Sequence, residues 1–269
     1  MIDQWIDVDF TTQVPEGRMT GCSTRFSAPG DGTFSEFSHV IKDTIPRSEW
    51  KERIAEHVPL APLVKKIKDQ NGEGSCAANA AATCLEVMWN WQLGDEAFIE
   101  MSAMSLYKRT GSGPNSGSNI DSNLIALRDD GILPVNNTRN KELFAHTFPP
   151  IGWRNRLPSG WTDTAKDFRV LEWLDIRNFD DFITALLMNI PVCYGRSGHA
   201  IAGIDPVWHN GQAMVKYANS WHESWGDKGF GYDSERAIGR YIDYYGAWGP
   251  LTVLVPSWAT DDPDEWEIN

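Results

Sequence analysis

The clearest hydrophobic pattern in the chain lies in the stretch SCAANAAATCLEVMWNWQ, over residues 75–92. Apolar residues such as Ala78, Leu85 and Trp89 recur there at steps of three and four, and Ala, Leu, Met and Glu are good helix formers. The Gly-rich approach NGEGS supplies a turn before this stretch. The pattern therefore predicts a buried amphipathic helix that begins at or just after Cys76.

The remaining pattern predicts a mainly helical first half and a mainly β second half. A second helix is predicted over Asp121–Asp130, closed by Gly131, and a short one over Phe179–Met188. Residues 136–170 are aromatic and broken by prolines, so a loop is predicted there. Strands are predicted at Val192–Tyr194, Ala200–Ile204, Ala213–Ala218 and Leu251–Val255.

The two ends of the chain differ from the rest in composition. Residues 1–44 are rich in Gly, Pro, Ser and Thr, which predicts an extended N-terminal arm, and residues 256–269 form an acidic C-terminal tail. The arm is interpreted first as an extension draped over the surface. A propeptide-like segment, or a docking segment for an assembly partner, is the alternative.

The charge balance excludes one class of partner. With 24 Lys and Arg against 37 Asp and Glu, the chain has a net charge of −13 and a pI near 4.8, which repels phosphate backbones, so no nucleic acid partner is expected. The N-terminus lacks a secretory signal, and the longest apolar stretch, Phe182–Tyr194, is too short to span a bilayer. A cytoplasmic protein without membrane contact is expected.

Four cysteines, Cys22, Cys76, Cys84 and Cys193, show neither the dense spacing of a disulfide framework nor the clustering of a zinc site. Reduced thiols are expected, with no metal and no cofactor. Among them, Cys76 stands where a Gly-rich loop enters a helix. The unpaired N–H groups and the positive end of the helix dipole stabilise a thiolate there, and so lower the pKa of that thiol.

Three polar side chains are candidates to work with Cys76. The amide of Gln70, six positions earlier, can fold back beside the Cys76 N–H so that two donors form an oxyanion hole. His199 begins a predicted strand in SGHAIAGI, and Asn219 ends the next one. Adjacent antiparallel strands would bring these two together, so that the Asn219 carbonyl orients the imidazole while Trp221 shields the hydrogen bond from water.

Taken together, these motifs resemble the papain family of cysteine peptidases. The resemblance covers roughly residues 45–231 and includes KDQNGEGSC, NSGSNIDSNLIALRDDGI, SGHAIAGI and NSWHESWGDKGFG. Cys76 and Asn219 are 143 residues apart, within the roughly 130–150 expected, whereas His199 at 123 residues is somewhat early. By the resemblance, Gly117 and Gly198 are candidate substrate-binding glycines.

The resemblance implies an α+β papain-like fold over residues 45–255. A helical left lobe, about 60–135, would face a β-rich, barrel-like right lobe, about 170–255, across a cleft. It implies a cysteine peptidase that hydrolyses peptide bonds of a protein or peptide substrate through an acyl-enzyme on Cys76, with His199 as general base and acid.

The sequence also departs from the family pattern at several positions. Glu73 stands where the family has a disulfide-forming Cys, Ala77 where it has an aromatic residue, and His222 where it has a Gly. Between Pro191–Val192 and His199 the chain is also much shorter than in papain. The missing disulfide and signal fit a non-secreted branch, bacterial or bacteriophage.

Two other functions stay open at this stage. The chain could be a papain-fold structural or docking component of a larger assembly, such as a phage virion, with secondary or lost activity and with residues 1–44 as the contact. Acyl transfer uses the same residues as hydrolysis and is not separated from it by the sequence.

Overall fold

The computed structural model describes residues 2–25, 38–94 and 98–254. Helices occupy much of the first half, and a sheet takes most of its strands from the second half. The helices are α1 (Trp50–Glu56), α2 (Cys76–Leu93), α3 (Ala103–Thr110), α4 (Ile120–Asp129), α5 (Thr138–Leu143), α6 (Thr162–Ala165), α7 (Phe179–Leu187), α8 (Glu235–Gly239) and α9 (Ile242–Tyr245). The strands are β1 (Ser38–Val40), β2 (Val170–Asp175), β3 (Val192–Arg196), β4 (His199–His209), β5 (Gln212–Ala218), β6 (Phe230–Ser234) and β7 (Ala247–Val253).

The strands form one sheet in the order β1-β2-β7-β3-β4-β5-β6. Only β1 and β2 pair in parallel among these described strands, and the other neighbours are antiparallel. Two residues with positive φ, Ser197 at 50° and Gly198 at 74°, connect β3 to β4, as in the tight turns that favour a two-residue hairpin. The next hairpin pairs β4 with β5, with Ala202 opposite Ala218, so the start of β4 lies beside the end of β5.

Helix α2 is the centre of the first hydrophobic core. Every side chain from Cys76 to Asn90 is buried, because the helix is apolar nearly all round and has neighbours on all sides. Small residues of the sheet, Cys193, Ala200 and Ala202, belong to the same core. Since small side chains face an Ala-rich helix, the helix and the sheet can approach closely.

The second core lies on the opposite face of the sheet. Val192, Tyr194 and Ile201 alternate with the small residues that face α2, as the two-residue period of a strand requires. Helix α7 covers this face through residues such as Phe182. The sheet thus separates the two cores.

The strongly patterned elements were predicted well and the weakly patterned ones were not. The predictions for α2, α4, α7, β3 and β5 are confirmed to within two residues at each end. Strand β4 runs five residues beyond its predicted end, because Asp205 and Pro206 interrupt the apolar run without ending the pairing. The loop prediction for residues 136–170 is wrong in part, since α5 and α6 lie within it.

Most described residues of the arm are exposed or half-buried, as expected of a surface extension, but three of them are buried. Val8 and Phe10 are 3% and 1% exposed and belong to the second core, and Ser38–Val40 forms the edge strand β1. The acidic tail, residues 256–269, lies outside the described residues. Within the described ranges, no helix is both long enough and apolar enough to cross a bilayer.

Candidate active site

Cys76 is the first residue of α2, and its side chain is buried. Backbone N–H groups of Ala200, Gly21 and Ala77 act on the thiol and favour its ionised form. Burial acts in the opposite direction and is the larger effect, so it raises the pKa of Cys76 to about 11. The start of β4 therefore lies beside the thiol, as the sequence predicted, but the thiol is protonated at neutral pH.

His199 and Asn219 are brought together as the sequence predicted. His199 opens β4 and Asn219 directly follows β5, and the hairpin places Nε2 of His199 2.8 Å from Oδ1 of Asn219. The same Oδ1 accepts a hydrogen bond from the N–H of Ser220 at 2.7 Å. With two bonds on one oxygen, the Asn219 amide is fixed relative to the backbone and can orient the imidazole.

Trp221 lies against this hydrogen bond, also as predicted. Its ring stacks on the His199 imidazole with the centroids 4.5 Å apart and an angle of 24° between the planes. Burial lowers the pKa of His199 to about 4; the Asn219 hydrogen bond opposes this shift, while the positive charge of Arg196 adds to it. Among the described residues, Nδ1 of His199 has no hydrogen-bond partner.

The Gln70 amide is held at both ends. Its Oε1 accepts a hydrogen bond from the Ser220 hydroxyl at 2.6 Å, which leaves Nε2 as a donor directed elsewhere. Nε2 donates to the Glu73 carbonyl at 2.7 Å and to the Met19 carbonyl at 3.1 Å. The amide predicted to stabilise an oxyanion therefore binds a carbonyl oxygen of the N-terminal arm.

Residues 18–25 of the arm, here called the cleft segment, run across the candidate site. The Gly21 carbonyl accepts a hydrogen bond from the Ser118 N–H at 2.9 Å, and the Cys22 N–H donates to the Gly198 carbonyl at 2.8 Å. A side chain on Gly117, whose φ is +70°, would clash with the Gly21 carbonyl. Both glycines predicted to bind substrate thus contact the arm instead, on opposite sides of it.

Burial favours the neutral forms of both groups, because it raises the pKa of the Cys76 thiol and lowers that of the His199 imidazole. The helix N-terminus alone predicted a lowered pKa for Cys76, whereas the cleft segment contributes to the burial that raises it. The sulfur also faces an N–H of Gly21, while the Met19 carbonyl binds Gln70 and the Trp221 indole, each at 3.1 Å. The site is closed.

Some residues of the site were missed in the sequence. Ser220 was read only as part of the N-S-W motif, although its hydroxyl and its N–H contact Gln70 and Asn219. Glu73 was noted only as a missing cysteine, yet its carboxylate accepts hydrogen bonds from the N–H groups of Gly152 and Trp153 at 3.1 and 2.8 Å. The partners Gln70, Gly152 and Trp153 are far away in the sequence, so no local pattern predicts these hydrogen bonds.

The remaining sequence predictions concern the other three cysteines and metal binding. Cys22, Cys84 and Cys193 are buried, and burial raises the pKa of each thiol. In the described part of the chain, no group of three or more His, Cys, Asp or Glu side chains is arranged to hold a metal ion.

Comparison with solved structures finds the same fold in cysteine proteases. Xylellain, a cysteine protease from Xylella fastidiosa, superposes with a TM-score of 0.63 at 18% identity, over 91% of this chain and 100% of that one. A digestive procathepsin L2 proteinase from the Tenebrio molitor larval midgut gives 0.63 at 14% identity, over 90% and 82%. A procathepsin B from Trypanosoma congolense gives 0.59 at 15% identity, over 88% and 87%.

No family model and no curated protein sequence matches the chain. The likeness to solved structures, at identities of 14–18%, is therefore a likeness of fold. It confirms the α+β papain-like fold and, at the level of structure, the resemblance to papain-like cysteine peptidases that the motifs indicated.

Proposed function

We propose that this chain is a cysteine-type peptidase that is folded in a closed state, with Cys76 as nucleophile and His199 as general base and acid. The observation that carries the proposal is the hydrogen bond of 2.8 Å between His199 and Asn219, beneath Trp221 and beside the helix start that holds Cys76. A nucleophile, a base and a group that orients the base are the parts that acyl transfer through a thiol requires.

The chemistry begins when the cleft segment moves out and a substrate carbonyl takes the place of Met19. His199 accepts the Cys76 proton, and the sulfur forms a bond to the carbonyl carbon. The carbonyl oxygen becomes negative and is held by Nε2 of Gln70 and the N–H of Cys76. As the C–N bond breaks, His199 gives its proton to the leaving amine.

The second half returns the enzyme to its starting state. His199 takes a proton from water, the resulting hydroxide attacks the thioester carbon, and the C–S bond breaks. The Cys76 thiolate recovers the proton from His199, and the acyl group leaves as a carboxylic acid. Asn219 keeps the imidazole in one orientation through both halves.

The docking role for residues 1–44, including a place in a virion, and the cytoplasmic location remain predictions from the sequence. One observation weighs against docking by the described part of the arm. Val8 and Phe10 pack in the chain's own core, and Gly21 and Cys22 bond to its own cleft. These residues therefore have partners within the same molecule.

The test uses a variant that opens the cleft. A side chain on Gly21 would lie 2.6 Å from the Gly74 carbonyl oxygen, so Gly21→Val should expel the cleft segment. We expect this variant to bind an epoxide-type thiol-peptidase probe at Cys76, located by mass spectrometry, and to cut a denatured protein. Gly21→Val combined with Cys76→Ala should do neither. A probe bound elsewhere, or no cleavage, would contradict the proposal.

The same reaction separates hydrolysis from acyl transfer. With a primary amine added, a hydrolase gives mostly new C-terminal carboxylates, whereas a transferase gives amides whose mass includes the amine. We expect carboxylates to dominate.

A further inference from the structure

Phe10, from the N-terminal arm, touches the candidate base directly. Its ring is 1% exposed and meets the His199 imidazole edge-on, with the centroids 4.8 Å apart and the planes at 76°. Trp221 stacks on the same imidazole at 4.5 Å, and the Phe10 and Trp221 rings are 5.3 Å apart. The imidazole therefore packs against two aromatic rings, one of which comes from 189 residues earlier in the chain.

The neighbouring hairpin is too short to provide this contact. Only Ser197 and Gly198 connect β3 to β4, and the next residue is His199 itself. A turn of two residues is too short to cover the imidazole of the residue that follows it. The arm supplies the ring that the hairpin lacks.

The Phe10 ring packs against a buried ion pair. The Arg196 guanidinium lies 4.3 Å from the centre of the Phe10 ring, and its Nε donates to the Asp233 carboxylate at 2.6 Å. Tyr194 donates its hydroxyl proton to the same carboxylate at 2.8 Å. Because Arg196 is fixed by its own partners, Phe10 is confined between the guanidinium and the imidazole.

The chain before Phe10 is bonded to the sheet independently of the cleft segment. The Asp7 carboxylate accepts hydrogen bonds from the N–H and the hydroxyl of Ser234, at 2.7 and 2.6 Å. The Asp7 N–H donates to the Tyr232 carbonyl at 2.8 Å, and Trp5 packs on Trp225. Residues 2–14, here called the anchor segment, are therefore tied to β6 and to the second core.

We propose that Phe10 is a positioning residue for His199, and that the anchor segment stays in the working site when the cleft segment leaves. This inference rests on the proposed function. Phe10 limits rotation of the imidazole and keeps water from the His199–Asn219 hydrogen bond, which is stronger in a dry environment. The arm thus has two parts with opposite effects, one that supports the site and one that covers it.

The first test measures turnover in the opened protein. In the Gly21→Val background, Phe10→Ala should lower kcat by roughly 10- to 100-fold, the scale for a misplaced catalytic group, with a smaller change in KM. Phe10→Leu keeps most of the bulk and should restore much of the rate. Phe179→Ala deletes the same ring from the same core, where it packs on Trp50, and should leave kcat unchanged.

The second test does not depend on peptidase activity. NMR of protein with labelled histidine gives the pKa of His199 in the closed chain, where burial lowers it to about 4. The charged group that acts on the ring is Arg196, which is paired with Asp233. Phe10→Ala admits water and should raise this pKa toward 6.5, whereas Phe179→Ala should leave it low.

The outcomes separate the two proposals. If the opened parent protein neither cuts peptides nor binds the probe, the proposed function fails, and the NMR result still decides whether Phe10 controls the imidazole. If the parent is active and Phe10→Ala matches Phe179→Ala in kcat and in the pKa of His199, the positioning role of Phe10 is overturned. The positioning role is also overturned if Phe10→Ala lowers thermal stability but changes neither kcat nor the pKa of His199.

Retention of the anchor segment has its own measurement. Residues Glu16 and Gly17 are exposed and lie between the two segments, so a specific protease site inserted there can be cut in the folded protein. After the cut, residues 2–14 should stay with the rest of the chain on gel filtration. Their loss under native conditions would contradict the proposal.

Discussion

The Nε2 of Gln70 donates a hydrogen bond of 3.1 Å to the Met19 carbonyl oxygen. We propose this amide as a donor to the oxyanion of a substrate, so the closed state and the reaction use the same group. A substrate and the cleft segment cannot bind there together. Activity should therefore depend on how easily the cleft segment leaves. Substitutions in the cleft segment test inhibition, and substitutions of Gln70 test catalysis.

The first prediction concerns the cleft segment. Gly21→Val places methyl groups against the Gly74 backbone, which cannot yield, so the segment must move. Water then reaches Cys76, and the pH midpoint of its alkylation should fall from about 11 to below roughly 8.5, because the helix N-terminus remains while the burial is reduced. Alkylation by iodoacetamide at a series of pH values, followed by peptide mapping, measures this midpoint.

The matched control is Gly239→Val, since a side chain on Gly239 would meet nothing within 4 Å. It should keep the high midpoint of the parent chain. Alkylation of Cys22 or Cys193 before Cys76 in the opened variant would contradict the prediction.

The second prediction concerns Gln70. In the Gly21→Val background, Gln70→Ala removes one oxyanion donor and should reduce kcat by about 10²-fold. Gln70→Glu keeps the oxygen that accepts from Ser220 but loses the donor, so it should be similarly slow. Ser220→Ala only frees the amide to rotate and should lie between these variants and the parent. Equal rates across the series would mean that the oxyanion is held by other groups.

The parts of the site that were predictable share a local signature. An Ala-rich run after a Gly-rich turn identifies α2 and its first residue, Cys76. The nearness of His199 to Asn219 follows from two adjacent strands with a tight turn, because a hairpin necessarily pairs the start of one strand with the end of the next. These inferences need only the two- and three-to-four-residue periods of strand and helix.

The parts that were not predictable depend on distant contacts. Phe10 follows a short polar-apolar alternation in a region rich in turn residues, and its burial requires a second core that the local sequence does not describe. Strand β2 was missed because Trp173 and Leu174 face opposite cores, so both are buried and the alternation disappears. Strand β7 begins four residues before its prediction, because Gly249 and Pro250 look like a turn.

The third prediction concerns Glu73, which stands where the papain family has a disulfide-forming cysteine. Its carboxylate holds the loop at Gly152 and Trp153 by hydrogen bonds to their N–H groups. Glu73→Ala should lower the free energy of unfolding by about 1–3 kcal/mol, because backbone donors lose a charged acceptor. Glu73→Gln keeps one acceptor oxygen and should cost less. Urea denaturation measures both.

Glu56→Gln, at an exposed helix end, is the control for loss of a surface charge and should leave stability nearly unchanged. Limited proteolysis gives a second readout, since a freed loop should be cut near Trp153 before the rest of the chain. If Glu73→Ala unfolds at the same urea concentration as the parent, the carboxylate does not replace the covalent link in holding this loop.

The last prediction separates a working site from an inactive one that keeps the same fold. Asn219→Ala leaves the Ser220 N–H and the His199 nitrogen without their acceptor, which should lower stability by about 1–3 kcal/mol. In the Gly21→Val background it should also slow alkylation of Cys76 near pH 6, because an imidazole that rotates no longer stabilises the thiolate. Asn219→Asp keeps an acceptor, and its negative charge raises the pKa of His199, so the pair should persist.

The pH profile of Cys76 alkylation and a thermal melt, measured on each variant, decide between these outcomes. Asn140→Ala is the matched control, since it removes another buried amide, one that donates to the Val135 carbonyl at 2.8 Å in a part of the fold that the site does not use. It should lower stability without changing alkylation. If Asn219→Ala behaves in the same way, the His199–Asn219 hydrogen bond only supports the fold. If Cys76 in the opened parent alkylates like a free thiol, with a midpoint near 8.5, no thiolate–imidazolium pair forms and the peptidase proposal fails.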